Sequence, residues 1–247
     1  MTPKWVTAFL DLPGEHFERA CAFWQAVTGY KISAPRGPVG EFATLEAGRG
    51  DPFFRVQRIG AATGGVHVDL HVDDVAVAVR HAVGLGASPV GVPGGPAVMR
   101  SPGGFVFCLV SHRGEKDRPP PTPWPGGRSL VDQVSVDIPP GLFGDECSFW
   151  AAVTGWELRQ GSRPEFMYLA RPEAIPIRLL LQRLDDPDTV CCRGHLDVAC
   201  DDVDAERARQ RMLGAIPTST MANWCTMVDP AGLSYCLTRR NPDTGTL

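Results

Sequence analysis

The chain repeats itself. Phe23-Trp24-Gln25-Ala26-Val27-Thr28-Gly29-Tyr30 returns 126 residues later as Phe149-Trp150-Ala151-Ala152-Val153-Thr154-Gly155-Trp156. His67-Val68-Asp69-Leu70 returns 128 residues later as His195-Leu196-Asp197-Val198. At the same offset of 128, Ser101-Pro102-Gly103-Gly104-Phe105-Val106-Phe107-Cys108-Leu109 returns as Asp229-Pro230-Ala231-Gly232-Leu233-Ser234-Tyr235-Cys236-Leu237. Collinear matches at a nearly constant offset dictate tandem domains of one fold, so any site is to be sought twice, at equivalent positions. The change of offset places a loop-length difference between Tyr30 and His67.

Between the repeats lies Arg118-Pro119-Pro120-Pro121-Thr122-Pro123-Trp124-Pro125-Gly126-Gly127. Proline neither donates to a strand ladder nor continues a helix, so this segment reads as a stiff, extended linker. The expected organisation is a first domain over residues 1–112, a linker over 113–128, a second domain over 129–240 and a tail over 241–247. Each half is long enough to enclose a core.

Within the first half, alternation over Trp5–Leu12 sets Val6, Ala8, Leu10 and Leu12 against Thr7, Phe9 and Asp11, a strand pattern. Phe17, Ala20, Cys21, Trp24 and Val27 follow at helical spacing over residues 15–28, with Gly29 as the stop. Strands are expected near 30–34, 41–46 and 53–59. A second cycle then starts with a strand at 66–72 and a helix that Asp73 or Asp74 can cap. That helix ends at Gly86, before strands near 88–92, 96–100 and 105–110. The second half is read the same way, with strands near 131–138, 156–160, 165–170, 177–184, 194–200, 216–219, 224–228 and 233–238. Its helices are expected near 142–154 and 202–213, with Asp201 and Asp202 as caps of the latter. The result is four β-α-β-β-β modules, two per half. The glycine pairs Gly64-Gly65, Gly94-Gly95 and Gly103-Gly104 read as turns; no helix follows them closely enough to make a phosphate cradle.

Composition narrows the function. With 43% hydrophobic and 21% charged residues the chain is of ordinary globular type. A formal net charge of -4 argues against a nucleic-acid partner, which demands a clustered basic surface. No apolar run reaches the roughly 18 residues of a membrane span, and Met1-Thr2-Pro3-Lys4-Trp5 lacks the pattern of a signal peptide. A cytoplasmic protein, monomeric or homodimeric, is expected. Of the eight cysteines, Cys21 matches Cys147 and Cys108 matches Cys236, each among apolar residues, as buried reduced thiols would be. Without a Cys-x-x-Cys pair, structural zinc and thioredoxin-like chemistry are disfavoured. Cys191-Cys192 falls in an expected loop.

At these motifs the sequence resembles the vicinal oxygen chelate superfamily, the group of glyoxalase I, bleomycin-resistance proteins and extradiol dioxygenases. The pattern is a first strand, a helix ending Phe-Trp-x-x-x-x-Gly-aromatic, a His-x-Asp strand followed by Val-Asp-Asp, a Leu-Gly-Ala helix end, and a final Asp-Pro-x-Gly strand. The last motif is complete at Asp229–Leu237, whereas Ser101 replaces its aspartate in the first half. The resemblance implies an α+β fold of two tandem glyoxalase-like domains. In each, two βαβββ modules would form an open eight-stranded mixed barrel around a pocket. Where such proteins hold a metal, side chains of the first, fifth and last strands would ligate it. Carried over, these places are Gln133, His195 and Cys236 in the second half, and Thr7, His67 and Cys108 in the first.

That donor set departs from the metalloenzyme pattern. A cysteine stands in both halves where the resemblance implies a carboxylate, and hard divalent ions prefer oxygen and imidazole donors. Strand alternation puts His67, Asp69 and His71 on one face, and His195 with Asp197 on the equivalent face, with Ala199 in place of His71. These polar sets should line the pocket with Cys108, Gln133, Cys236 and Trp224. The same His-Asp pairs can instead be hydrogen-bonded elements of the framework. Trp24 and Trp150 sit on apolar helix stripes and read as core. The leading expectation is a protein that binds a small organic molecule in a barrel pocket, of the resistance or sequestration type or an enzyme that has lost its chemistry, with no cofactor. The competing expectation is a metal-dependent lyase, isomerase or dioxygenase using Gln133, His195 and Cys236 with a divalent metal. A third pairs one structural half with one functional half.

Overall fold

The computed structural model describes residues 1–91 and 96–247; the expected turn at Gly94-Gly95 lies outside them. In the first half β1 (Trp5–Pro13) leads into α1 (Phe17–Thr28), then β2 (Lys31–Ile32), β3 (Phe42–Glu46) and β4 (Phe54–Ile59). The module recurs as β5 (Gly65–Val72), α2 (Val75–Gly84), β6 (Ser88–Val90), β7 (Ala97–Arg100) and β8 (Val106–Ser111). A short β9 (Thr122–Trp124) precedes the second half. That half begins with β10 (Gly127–Ile138), α3 (Phe143–Thr154), β11 (Glu157–Gln160), β12 (Phe166–Ala170) and β13 (Arg178–Arg183). It closes with β14 (Arg193–Cys200), α4 (Val203–Met212), β15 (Ile216–Thr220), β16 (Trp224–Val228) and β17 (Ser234–Thr238). The four modules expected from the repeat are all present.

The strands form two open mixed sheets. One runs β2-β3-β4-β1-β5-β8-β7-β6; the other runs β11-β12-β13-β10-β14-β17-β16-β15, with β9 added beside β10. Within each, the parallel pair is the fifth and last strand of a half: β5 with β8 and β14 with β17. Neither sheet closes into a barrel.

Local chemistry sets the helix ends. Gly29 and Gly155 stop α1 and α3 at φ of +72° and +69°, a left-handed conformation that disfavours any side chain. Asp74 caps α2 by accepting the Val77 N–H at 2.9 Å, and Asp202 caps α4 from Asp204 and Ala205. Their neighbours do other work: Asp73 pairs with Lys4, and Asp201 with Arg128.

The proline-rich segment is built into the packing rather than left as a spacer. Thr122–Trp124 pairs antiparallel with Gly127–Ser129, so β10 begins inside the segment read as linker. The Trp124 indole donates to Ser129 and carries the Arg209 guanidinium on its face at 3.7 Å. Arg209 also donates to the Ala26 and Val27 carbonyls at 2.9 and 2.8 Å, satisfying the orphan C-terminal carbonyls of α1.

By packing, the chain divides into two compact units. One comprises Met1–Ala8, Val66–Lys116 and Val134–Gly194; the other comprises Phe9–Gly65, Asp117–Gln133 and His195–Leu247. Each therefore joins most of the first module of one half to most of the second module of the other. Aromatic contacts show why. In the second unit Trp24 of α1 meets Tyr235 of β17 edge-on at 5.1 Å and Phe54 at 5.5 Å. In the first, Trp150 of α3 meets Phe107 of β8 at 5.3 Å and Phe105 at 5.8 Å. Both tryptophans are fully buried, in agreement with their place on the apolar stripes.

A buried indole needs an acceptor, and the two units supply it differently. Trp24 donates to the Asp229 carboxylate at 2.9 Å, which also accepts the Ala231 and Leu233 amides. In the first unit Ser101 holds the place of Asp229, and the acceptor is Glu146, one turn back on α3. Glu146 takes the Trp150 indole at 2.8 Å and the Gly103 amide at 2.5 Å, while Ser101 accepts the Phe105 amide. Ala20 stands at the repeat position of Glu146. Each unit thus supplies one carboxylate to its buried indole, from a turn in one and from a helix in the other. Burial raises both carboxyls above the ordinary range, against the hydrogen bonds that lower them. Their contribution to stability is therefore complete below the unfolded carboxyl value and is lost as pH rises through the folded one.

The exchange can be reversed. Glu146→Ala strands two buried N–H donors and should lower the unfolding free energy by about 3 kcal/mol. Adding Ser101→Asp, which copies the second unit, should restore more than half of it in urea denaturation. Additive losses in the double variant would refute the exchange.

Candidate functional site

Three groups of donor side chains stand out among the described residues, each with its donor atoms within 4.8 Å of one another. In spacing, all three are able to hold a divalent metal.

The first is on β5 and β8. Asp69 lies opposite Cys108 in the parallel ladder, and His67, two residues back, shares its face. His67 Nε2 is 3.8 Å from Asp69 Oδ1, with both side chains more than nine-tenths buried. Of the first-half residues expected to line the pocket, His67, Asp69 and Cys108 are brought together, whereas Thr7, expected beside His67 and Cys108, pairs with His71. His71 is not part of this group.

His71 belongs to a second group that the sequence reading did not assemble. Its Nε2 lies 2.9 Å from the Thr7 hydroxyl, and its Nδ1 faces Glu115 at 3.6 Å. His112 Nδ1 faces the other Glu115 oxygen at 3.3 Å. Burial acts to raise Glu115, but the backbone N–H groups of Glu115 and Arg113, with His71 and His112, outweigh it and hold the carboxyl below its usual range.

The third group is on β14 and β17. Asp197 lies opposite Cys236, and His195 Nε2 is 3.4 Å from Asp197 Oδ1. Gln133 donates its amide N–H to Asp197 Oδ2; a carboxylate partner fixes which end of the amide faces it. Thr226 is opposite Cys236, with 3.7 Å between hydroxyl and sulfur, and Trp224 sits two residues before it on the same face. Gln133, His195, Asp197, Cys236 and Trp224 are thus gathered on one face of the second sheet. A groove of about 720 Å³ in the same unit, lined by Arg19, Phe23, Ala26, Ile216, Val228 and Pro230, includes none of them.

Three residues of this group, Thr226, Arg240 and Asp132, are absent from the sequence expectation. Arg240, 4% exposed, donates to Asp197 at 3.5 Å and to Asp132. The signal available was positional: Arg240 is the repeat counterpart of His112, just past the last strand. It lies at the expected end of the second domain, where no periodic pattern marks it.

The glyoxalase-like domain model matches residues 8–110 and again residues 134–238. The chain belongs to the glyoxalase-like domain family. Through it the protein is a tandem member of the vicinal oxygen chelate superfamily. Among solved structures, this glyoxalase-like protein is similar to a variant of 4-hydroxymandelate synthase from Streptomyces coelicolor, at 17% identity and a TM-score of 0.62 over 98% of this chain and 95% of the other. It is similar to 2,2',3-trihydroxybiphenyl 1,2-dioxygenase from Sphingomonas wittichii, at 16% identity and a TM-score of 0.64, covering 96% and 90%. It is also similar to the Mn(II)-bound glyoxalase from Novosphingobium aromaticivorans, at 18% identity and a TM-score of 0.60, covering 96% and 81%. At such identities the likeness concerns the fold. A search of curated proteins gave no match.

The metal that this family's fold implies fits the third group poorly. Asp197 Oδ2 already accepts from the Arg240 guanidinium and from Gln133, so a cation entering beside it meets a like charge and a carboxylate whose charge is already compensated. The remaining donors, an imidazole and a thiol, are too few and too soft for iron or manganese. The first group has the same thiol in the same place.

Arg240→Ala should expose how far this glyoxalase-like site is electrostatically braced. Removing one partner of a buried ion pair leaves Asp132 and Asp197 uncompensated and should cost about 3–5 kcal/mol. In the Arg240→Ala background, Asp197→Asn should recover part of that loss in urea unfolding; a further loss would show that Asp197 is held by other groups.

Proposed function

We propose that this protein binds a small organic molecule on the second-half face that carries His195, Asp197, Gln133, Cys236, Thr226 and Trp224, without a metal triad. The observation that carries the reading is the compensated Asp197. A carboxylate bound by Arg240 and Gln133 is a fixed acceptor that orients the neighbouring imidazole, rather than a ligand waiting for a cation. His195 then offers a directed hydrogen bond to the ligand, and Trp224 a ring surface for apolar or aromatic stacking. The Cys236 thiol adds soft apolar surface beside them. Among the described residues no helix is long and apolar enough to cross a membrane, and a cytoplasmic binding protein, monomer or homodimer, is the setting proposed.

A second reading has its own support. The donor atoms of His195, Asp197 and Cys236 lie within 4.8 Å of one another, and a structural neighbour is a Mn(II)-bound glyoxalase. On that reading Gln133, His195 and Cys236 would hold a divalent metal for lyase, isomerase or dioxygenase chemistry. The metal would supply Lewis acidity there, and the mixed nitrogen, oxygen and sulfur donors would favour zinc.

Thermal-shift screening of small aromatic and polar compounds, followed by calorimetry of a hit, tests the proposal. His195→Ala should weaken binding about tenfold or more, equivalent to about 1.4 kcal/mol, while His67→Ala should leave it nearly unchanged. Equal losses in the two variants would overturn the assignment to the second half. Binding that vanishes on chelation and returns with metal would favour the second reading.

A further inference from the structure

The group formed by Thr7, His71, His112 and Glu115 belongs to the other compact unit and takes no part in the proposed binding. We infer that it is a divalent-metal site of the zinc type, with His71 Nδ1, His112 Nδ1 and Glu115 as ligands.

Spacing is the first support. The His112–Glu115 and His71–Glu115 separations are 3.3 and 3.6 Å. Two ligand atoms about 2.05 Å from a tetrahedral ion stand roughly 3.3–3.4 Å apart. The His112 separation matches that edge and the His71 separation is slightly longer; they run to the two oxygens of Glu115, and one donor atom from each of the three residues lies within 4.8 Å of the others. Two imidazoles and one carboxylate suit zinc, and a fourth position is left for water.

The ring orientation is the second. Thr7 Oγ1 lies 2.9 Å from His71 Nε2, so an N–H at Nε2 leaves the Nδ1 lone pair directed at Glu115. A ligating histidine commonly has its other nitrogen fixed by such a partner. The turn also serves the site. His112 is anchored by its N–H to Val72 O at 2.9 Å, and Gly114, at φ +100°, folds the chain back so that Glu115 returns toward the imidazole. The Arg113 N–H holds Glu115 Oε2 at 2.9 Å. His112 and Glu115 keep 21% and 12% of their side chains exposed, which gives an ion access.

The repeat supplies the third. The second-half counterparts of Thr7, His71, His112 and Glu115 are Gln133, Ala199, Arg240 and Asp243. There the chain builds fixed ion pairs, Arg240 with Asp132 and Asp197, and Asp243 with Arg128. At equivalent positions, one half carries a permanent cation and the other carries imidazoles able to accept an exogenous one.

Calorimetric titration of the chelator-treated full chain with zinc tests this. One equivalent should bind at this site, and zinc should raise the melting temperature. His112→Ala and Glu115→Gln should each abolish that equivalent, and Thr7→Val should weaken it about 10–100-fold. The Cys108→Ser/Cys236→Ser variant should retain it. Cobalt at the site should absorb in the visible without a thiolate-to-metal charge-transfer band. Glu115→Gln, which keeps the size of the side chain, decides the matter if His112→Ala fails to fold. Absence of zinc uptake by the wild-type chain would overturn the site. So would uptake that survives Glu115→Gln, or a charge-transfer band that disappears with the cysteines.

Discussion

A tryptophan indole on the first helix of each half, sealed from water, has to find a carboxylate, and the packing of both units is arranged around that need. An unpaired indole N–H in such a core would forfeit a hydrogen bond, and an unpaired carboxylate would forfeit more. Asp229 and Glu146 answer it from different elements, a turn and a helix. The indole position and the turn amides are conserved in space while the acid moves. Gly103 shows the cost of that move: a side chain there would approach Cys192 Sγ to 2.6 Å and Glu146 to 3.0 Å, so the turn that receives the helix acid has room only for glycine.

Once the helices are pinned, the sheet geometry assembles the polar groups. Pairing the fifth strand of each half with the last in parallel sets Asp69 opposite Cys108 and Asp197 opposite Cys236. Two-residue alternation then adds His67 and His195. The same framework therefore produces two matching clusters. What differs is charge. Arg240 sits beside Asp197, and its counterpart His112 sits instead with His71 and Glu115. Past the last strand, the arginine that braces Asp197 in one half is replaced in the other by a histidine that faces Glu115 alongside His71.

Much of this was legible in the residues. The offsets of 126 and 128, the glycine stops and the Asp74 and Asp202 caps follow from local rules, and the elements fall within a few residues of their expected bounds. His67 with Asp69 and His195 with Asp197 follow from strand alternation, and the cysteines opposite them from the repeat. Three features did not follow. His71 alternates with His67 and Asp69 but lies four residues along the strand, roughly 13 Å at about 3.3 Å per residue, so a shared face did not mean a shared cluster. Glu146 occupies an apolar helix stripe, and although Ser101 visibly replaces the aspartate of its motif, no local pattern pairs that turn with an acid on a distant helix. Arg240 lies beyond the last periodic segment, where pattern gives no guidance.

The sequence by itself determined four βαβββ modules, their order, and which side chains share a strand face, because these depend on periods of 2 and 3.6 residues and on glycine and aspartate chemistry at element ends. Only the tertiary structure decided which modules pack together and which charges meet. It joined the first module of one half to the second module of the other, brought Glu146 under Ser101 and Gly103, and set Arg240 against Asp132 and Asp197. Those pairings are made between residues 40 to more than 100 positions apart. They are settled by desolvation: a charge carried into the core must meet its partner there, wherever in the chain that partner lies.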